Sequence, residues 1–132
     1  MDVPQNTVVA VVDGENFDLY KNTGDAGNVK LRALETPDTE DRASSGGRSS
    51  SSANPDASQA AEDAFGKGVV EKLNQLVLKN KIEKLIIVAA PRSLGEMRRS
   101  YHKQLQEVLL GELDKVLTGH SIEDIEKALA AA

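Results

Sequence analysis

The sequence predicts a single α/β domain built on a mixed β-sheet, and three observations carry that expectation. First, two short apolar runs, TVVAVVD at residues 7–13 and KLIIVAA at 84–90, show no polar alternation. Runs of this length rich in Val and Ile read as strands buried on both faces. Second, residues 16–22 and 29–36 alternate apolar and polar side chains, as half-buried strands do. Third, the later apolar residues recur at helical spacing. The order reads β-β-β-α-β-α-β-α, an antiparallel meander followed by central strands, with α-helices packed on the sheet.

Each element has its own signal. DGEN supplies a turn after the first strand. In NFDLYKN, Phe17 and Leu19 share one face, and Asp18 and Tyr20 the other. TGDAGN marks a second turn, and VKLRALET places Val29, Leu31 and Ala33 on one side. The pattern stops after Pro37 and resumes at NPD. Asn54 suits a helix N-cap, Pro55 the first helical position and Asp56 the first turn. Ala61, Phe65, Val69, Leu73, Leu76 and Val77 then mark a long helix ending near Asn80. Gly66 and Gly68 inside it each cost about 1 kcal/mol relative to Ala, which points to close packing on the sheet. After the strand at 84–90, Ser93 and Glu96 have the Ser-x-x-Glu spacing of a capping box, so a helix is expected to start there. Residues 107–113, EVLLGEL, read either as a strand or as a continuation of that helix. Ser121 is placed to cap a closing helix with an Ile122, Ile125 and Leu129 face.

At 132 residues the chain fits one domain and can bury a core without staples. It has no Cys, which removes disulfide and thiolate chemistry and accords with a reducing cytoplasm. Its two His, His102 and His120, lie too far apart for a zinc-ligand spacing, so no metal is expected. GDAG has too few glycines, and no following helix, for a nucleotide loop, and no cofactor is expected. No window approaches the roughly 20 apolar residues of a membrane span, and the N-terminus lacks a signal-peptide pattern. A soluble, cytoplasmic protein with no membrane partner is expected. The formal net charge of -5 means that any nucleic-acid contact must come from a local basic patch.

Four places could carry function. The Ser/Gly-rich stretch at about 38–54 predicts a flexible loop, with Gly46, Gly47 and Arg48 flanked by serines. A loop of this length without its own pattern is either a reaching loop or a tolerated insertion. Arg92 and Ser93, just after a central strand, could bind an anion, or could belong only to a helix cap. Arg98, Arg99, His102 and Lys103 could meet RNA phosphates, or could form an ordinary solvated face. Asp13 ends the first central strand, where a carboxylate either does chemistry or organises the turn with Gly14. His120, between a Gly and a capping Ser, reads as a turn residue or a catalytic one.

Taken together, VVAVVDGENFDLYKNTGD, EDAFGKGVVEKLN, KLIIVAAPRSLGEMRRSYHK and GELDKVLTGHSIEDIEKAL resemble the bacterial host attachment proteins, also described as proteins required for attachment to host cells. The likeness runs along nearly the whole chain, with APRSLGE and LTGH its most specific parts. That family is similar to the central domain of archaeal and eukaryotic peptide-chain release factors. The resemblance implies the same order of elements, and a strand at 107–113. It further implies a glycine-rich loop that reaches the ribosome and assists hydrolysis of the peptidyl-tRNA ester. Where the release factors carry Gly-Gly-Gln, this sequence has Gly46, Gly47 and Arg48. The implied partner is the ribosome or tRNA. The alternative is another protein, with an indirect effect on attachment and no catalysis.

Overall fold

The computed structural model describes residues 2–35 and 55–132, the side chains of 55–60 excepted. Its strands are β1 (Val8–Val12), β2 (Phe17–Asn22), β3 (Leu31–Leu34), β4 (Leu85–Val88) and β5 (Leu109–Leu113). Its helices are α1 (Pro55–Leu78), α2 (Pro91–Met97), α3 (Lys103–Val108) and α4 (Ile122–Ala131). A 3-10 turn, Arg98–Ser100, follows α2 directly.

The strands form one sheet in the order β3-β2-β1-β4-β5. The meander is antiparallel, β1 against β2 and β2 against β3. β4 and β5 then add in parallel on the other side of β1. The mixed α/β sheet expected from the sequence is therefore present. Alternation along β1 and β4 divides the core into two layers. Val8, Ala10 and Val12 face α1, α2 and α3, packing with Val69, Val70, Leu73, Leu94 and Leu105. Val9, Val11, Ile86 and Val88 face the opposite way, onto Ile125 and Leu129 of α4. The half-buried reading of β2 also holds: Phe17 and Leu19 join the first layer, while Tyr20 packs on the second.

Several local expectations are corrected. The capping box does not form. Ala90 is the N-cap of α2, Pro91 takes the first helical position, and no side chain caps the helix. Pro is pre-organised for that position and has no N–H to satisfy, so Ser93 falls inside the first turn. The helix beginning there is short. Tyr101 is extended, with φ -63 and ψ 123, and a separate helix α3 then runs straight into β5. Asn74 of α1 makes the break tolerable. Its Nδ2 donates to the Ser100 carbonyl at 3.0 Å, and its Oδ1 accepts from the His102 N–H at 3.0 Å. The strand expected at 107–113 thus begins two residues later. β3 is also shorter than its pattern, with Leu31 buried in the α4 layer, Leu34 turned toward α1, and Ala33 exposed.

The two helix glycines differ. Gly66 is buried, and a Cβ there would sit 3.4 Å from Met97 Cγ of α2, so the close neighbour is a helix rather than the sheet. Around Gly68 a Cβ would meet nothing within 4 Å. Gly68→Ala should therefore recover about 1 kcal/mol of helix propensity and raise Tm by about 4 °C. Gly66→Ala should gain less, because Met97 must give way. Thermal melts of both variants beside the parent check the difference.

Candidate functional site

The parallel strands β1, β4 and β5 end at one edge of the sheet. Val11, Val88 and Leu113 are in register across them, and Ala89 N–H closes on the Leu113 carbonyl at 3.1 Å. Ligands of open α/β sheets gather at such carboxyl ends. Three connections meet here: residues 13–16 after β1, residues 89–92 before and into α2, and residues 114–121 between β5 and α4. Glu62 of α1 comes down over the first of them. A Cβ on Gly14 would lie 2.8 Å from Glu62 Cγ, so the missing side chain is what lets the helix approach.

Asp13 organises the edge. Its Oδ1 accepts the N–H groups of Glu15 and Asn16, both at 2.6 Å. Its Oδ2 accepts the Thr118 hydroxyl at 2.6 Å and the Asn16 amide at 3.1 Å. Burial pushes the carboxyl pKa up, but the hydrogen bonds from Thr118, Glu15 and Asn16 outweigh it and hold the pKa below the ordinary value. Both oxygens are engaged and the group is held ionised, so its chemistry is orientation, not proton uptake. Thr118 belongs to the LTGH motif. Gly119 follows with φ +80, a conformation L side chains avoid, and the His120 N–H closes on the Leu117 carbonyl at 3.1 Å. The His120 ring lies 3.8 Å from Asp124, on the first turn of α4, and is about half exposed. Ser121 caps that helix as expected, accepting the Asp124 N–H at 3.1 Å.

The basic residues picked out by sequence fall in two places. Arg92 and Ser93 lie in the first turn of α2, at the carboxyl edge, Arg92 exposed and Ser93 half-buried. Arg98, Arg99, His102 and Lys103 lie beyond α2, in the flanking segment that bridges α1, through Asn74, and β5, through Glu112. Arg98 reaches Glu112 of β5, with Nε at 2.9 Å and a terminal nitrogen at 2.6 Å from Oε1. Tyr101 donates its hydroxyl to the other Glu112 oxygen at 2.6 Å. Burial raises the Glu112 pKa, but Arg98 and Tyr101 overcome it and keep the carboxyl below its usual range. Burial first, and Glu112 second, drive the Tyr101 phenol well above its ordinary pKa. Arg99 stands 3.9 Å from Glu96, an exposed pair of little weight. His102 caps α3, its Nδ1 accepting the Gln104 N–H at 3.0 Å. Lys103 is exposed at the start of that helix.

Gly46, Gly47 and Arg48, with the rest of the loop expected at 38–54, lie outside the described residues. Their anchors do not. β3 runs in the same direction as β1, because each neighbour in the meander is antiparallel. β3 therefore delivers residue 35 toward the carboxyl edge, and α1, with Glu62 over Gly14, starts from that edge as well. Among the described residues no three His, Cys, Asp or Glu side chains are grouped to hold a metal ion. No described helix is long and apolar enough to cross a membrane. Sequence reasoning missed Thr118, Glu112, Tyr101 and Asn74 as partners. Only Thr118 carried a signal, its place in a specific motif.

Residues 6–129 match the family described as bacterial archaeo-eukaryotic release factor family 12, and the chain belongs to that family. No curated protein matches the chain.

Two predictions follow from the carboxylates. Asp13→Ala leaves two backbone N–H groups and the Thr118 hydroxyl without their acceptor, and should cost about 1–3 kcal/mol at neutral pH. A folded-state pKa below the ordinary 3.8 gives stability that is present above that value and is lost as the pH falls through the folded value. Denaturant titrations should thus show parent and variant separated at neutral pH and converging in acid. On the flank, Tyr101→Phe should destabilise by about 1 kcal/mol, Arg98→Ala should also destabilise, and the double variant should lose less than their sum, since both act on Glu112. A double-mutant cycle in denaturant reads this coupling.

Proposed function

We propose that this release-factor family member is a binding domain for the ribosome or a tRNA, acting in the cytoplasm from the carboxyl edge of its sheet. The observation that carries the reading is the family match over residues 6–129. Topology supports it: of the connection that contains Gly46, Gly47 and Arg48, β3 runs toward this edge and α1 starts from it, and Arg92 and Ser93 follow β4 at the same edge. In this reading Gly46 and Gly47 allow close approach to the ligand, and Arg48 contacts phosphate. Lys103 and Arg99 extend the basic surface along the flank, while Arg98 and His102 hold that flank in shape.

Binding is favoured over hydrolysis of the peptidyl-tRNA ester. Arg48 stands where the release factors carry Gln, and a guanidinium offers donors only. It can hold a phosphate or an oxyanion but cannot take a proton from water. Asp13 and Glu112 are likewise engaged and held ionised by their hydrogen bonds. The engagement of Asp13 and Glu112 favours a second reading: a non-catalytic module that captures another protein. The likeness to proteins required for attachment to host cells would then reflect an indirect effect.

Co-sedimentation separates the two. The full chain should pellet with ribosomes at low salt and be released steeply as salt rises, because phosphate contacts displace counterions. Deletion of residues 38–54 should abolish pelleting, and Arg48→Ala should weaken it about tenfold. Peptidyl-tRNA should remain intact in the pellet. A chain that stays in the supernatant at low salt overturns the ribosome reading, and release of the peptide overturns the assignment of binding without hydrolysis.

A further inference from the structure

On the α1 face of the sheet, beside the last turns of α1, the described residues leave β2 and β3 only partly covered. The result is an open hollow floored by Val8, Leu19, Leu34, Leu76 and Ile82. Its volume of about 140 Å³ is room for one aliphatic side chain of a bound peptide. Leu34 and Leu76 are partly buried, so the floor is apolar and reachable.

The rim is basic. Lys81 lines the hollow directly. Lys21 is opposite Val8 in the β1–β2 register and two residues from Leu19, so it stands on the same face. Arg32 is opposite Lys21, two residues from Leu34, and shares that face too. Among the described residues none of these three cations has an ion pair. Glu35 is the acid at the rim. In a chain with a formal net charge of -5, this surplus of positive charge around aliphatic side chains is a local exception.

We propose that this hollow docks an acidic peptide through an aliphatic side chain. The apolar floor would take the aliphatic anchor, and Lys21, Arg32 and Lys81 would meet the carboxylates beside it. RNA fits the rim but not the floor, which offers aliphatic side chains and no aromatic ring on which a base could stack. The proposal does not rest on the ribosome reading, because it uses none of the side chains assigned to ribosome contact there.

Fluorescence anisotropy on the full chain tests it with labelled synthetic probes: a peptide alternating Glu and Leu, the same peptide with Lys in place of Glu, a Glu-only peptide, and an oligouridine. The Glu–Leu peptide should bind saturably and tightest, and should shift the NMR methyl signals of Leu34, Leu76 and Ile82. Arg32→Glu with Lys81→Glu should weaken it roughly fivefold, the loss of two exposed charge pairs. Both are exposed side chains, so the fold should stand, which a thermal melt verifies. Lys127→Glu, on α4, should leave affinity unchanged. Equal binding of the Lys–Leu or Glu-only peptide overturns the proposal, as does oligouridine competing for the same methyl signals. So do shifts that map elsewhere, indifference to the charge reversals, or binding that appears only after residues 38–54 are deleted.

Discussion

The fold depends on β1 and β4 lying side by side in parallel with both faces dry. Every residue of the two strands is buried. Fully burying one Val or Ile contributes about 1.5–3 kcal/mol, so this pair of strands holds much of the apolar stabilisation of a domain whose net stability is about 5–15 kcal/mol. The gain is realised only if each face receives its own cover. α1, α2 and α3 supply one, and Ile125 and Leu129 of the closing helix supply the other. Losing α4 would leave Val9, Val11, Ile86 and Val88 facing water, which is why a ten-residue helix near the chain end matters to strands far from it in sequence.

That constraint fixes where polar groups can work. With the centre of the sheet sealed on both faces, the backbone leaves the core at the strand ends, and the shared direction of β1, β4 and β5 brings three connections to one edge. Asp13 joins two of them by accepting from its own turn and from Thr118, 105 residues away. Glu112 does the comparable work on the flank, holding the 3-10 turn against β5 through Arg98 and Tyr101. In both cases a half-buried carboxylate is kept charged by donors instead of neutralising, the condition under which a buried charge rigidifies rather than destabilises. A third device guards the open side of the sheet: Glu126 of α4 accepts the Leu31 N–H at 2.7 Å at the edge strand β3.

Most of the fold was legible in the sequence because it rests on local pattern. Unbroken Val and Ile runs announced β1 and β4, strict alternation announced β2, and Ser121 announced α4. What was not legible rests on contacts between distant residues. Ser93 and Glu96 satisfy a capping rule by spacing, yet Pro91 pre-empts the helix start. The interruption after Met97 needs Asn74, on another helix, to receive the exposed backbone groups. The basic run at 98–103 looks like one charged face, but Arg98 turns back to β5 and His102 becomes a cap. Asp13 could be placed at a strand end from sequence, while its partner could be known only once β5 and its following loop were set across β4 from β1.

These contacts bear on how an acidic domain could meet a polyanion. The overall charge of -5 repels RNA at long range, but at physiological salt that field decays over about 8 Å. Affinity must then come from a few cations placed at contact distance, not from steering by the whole molecule. Of the basic residues after α2, Arg98 already spends its guanidinium on Glu112, which leaves the exposed Arg99 and Lys103 as those whose side chains can turn to a ligand. A surface of that kind grips weakly wherever it lands. On the proposed reading, specific capture at the carboxyl edge therefore requires a further contact, and the connection between β3 and α1, whose α1 end lies over Gly14, is the part of the chain proposed to make it.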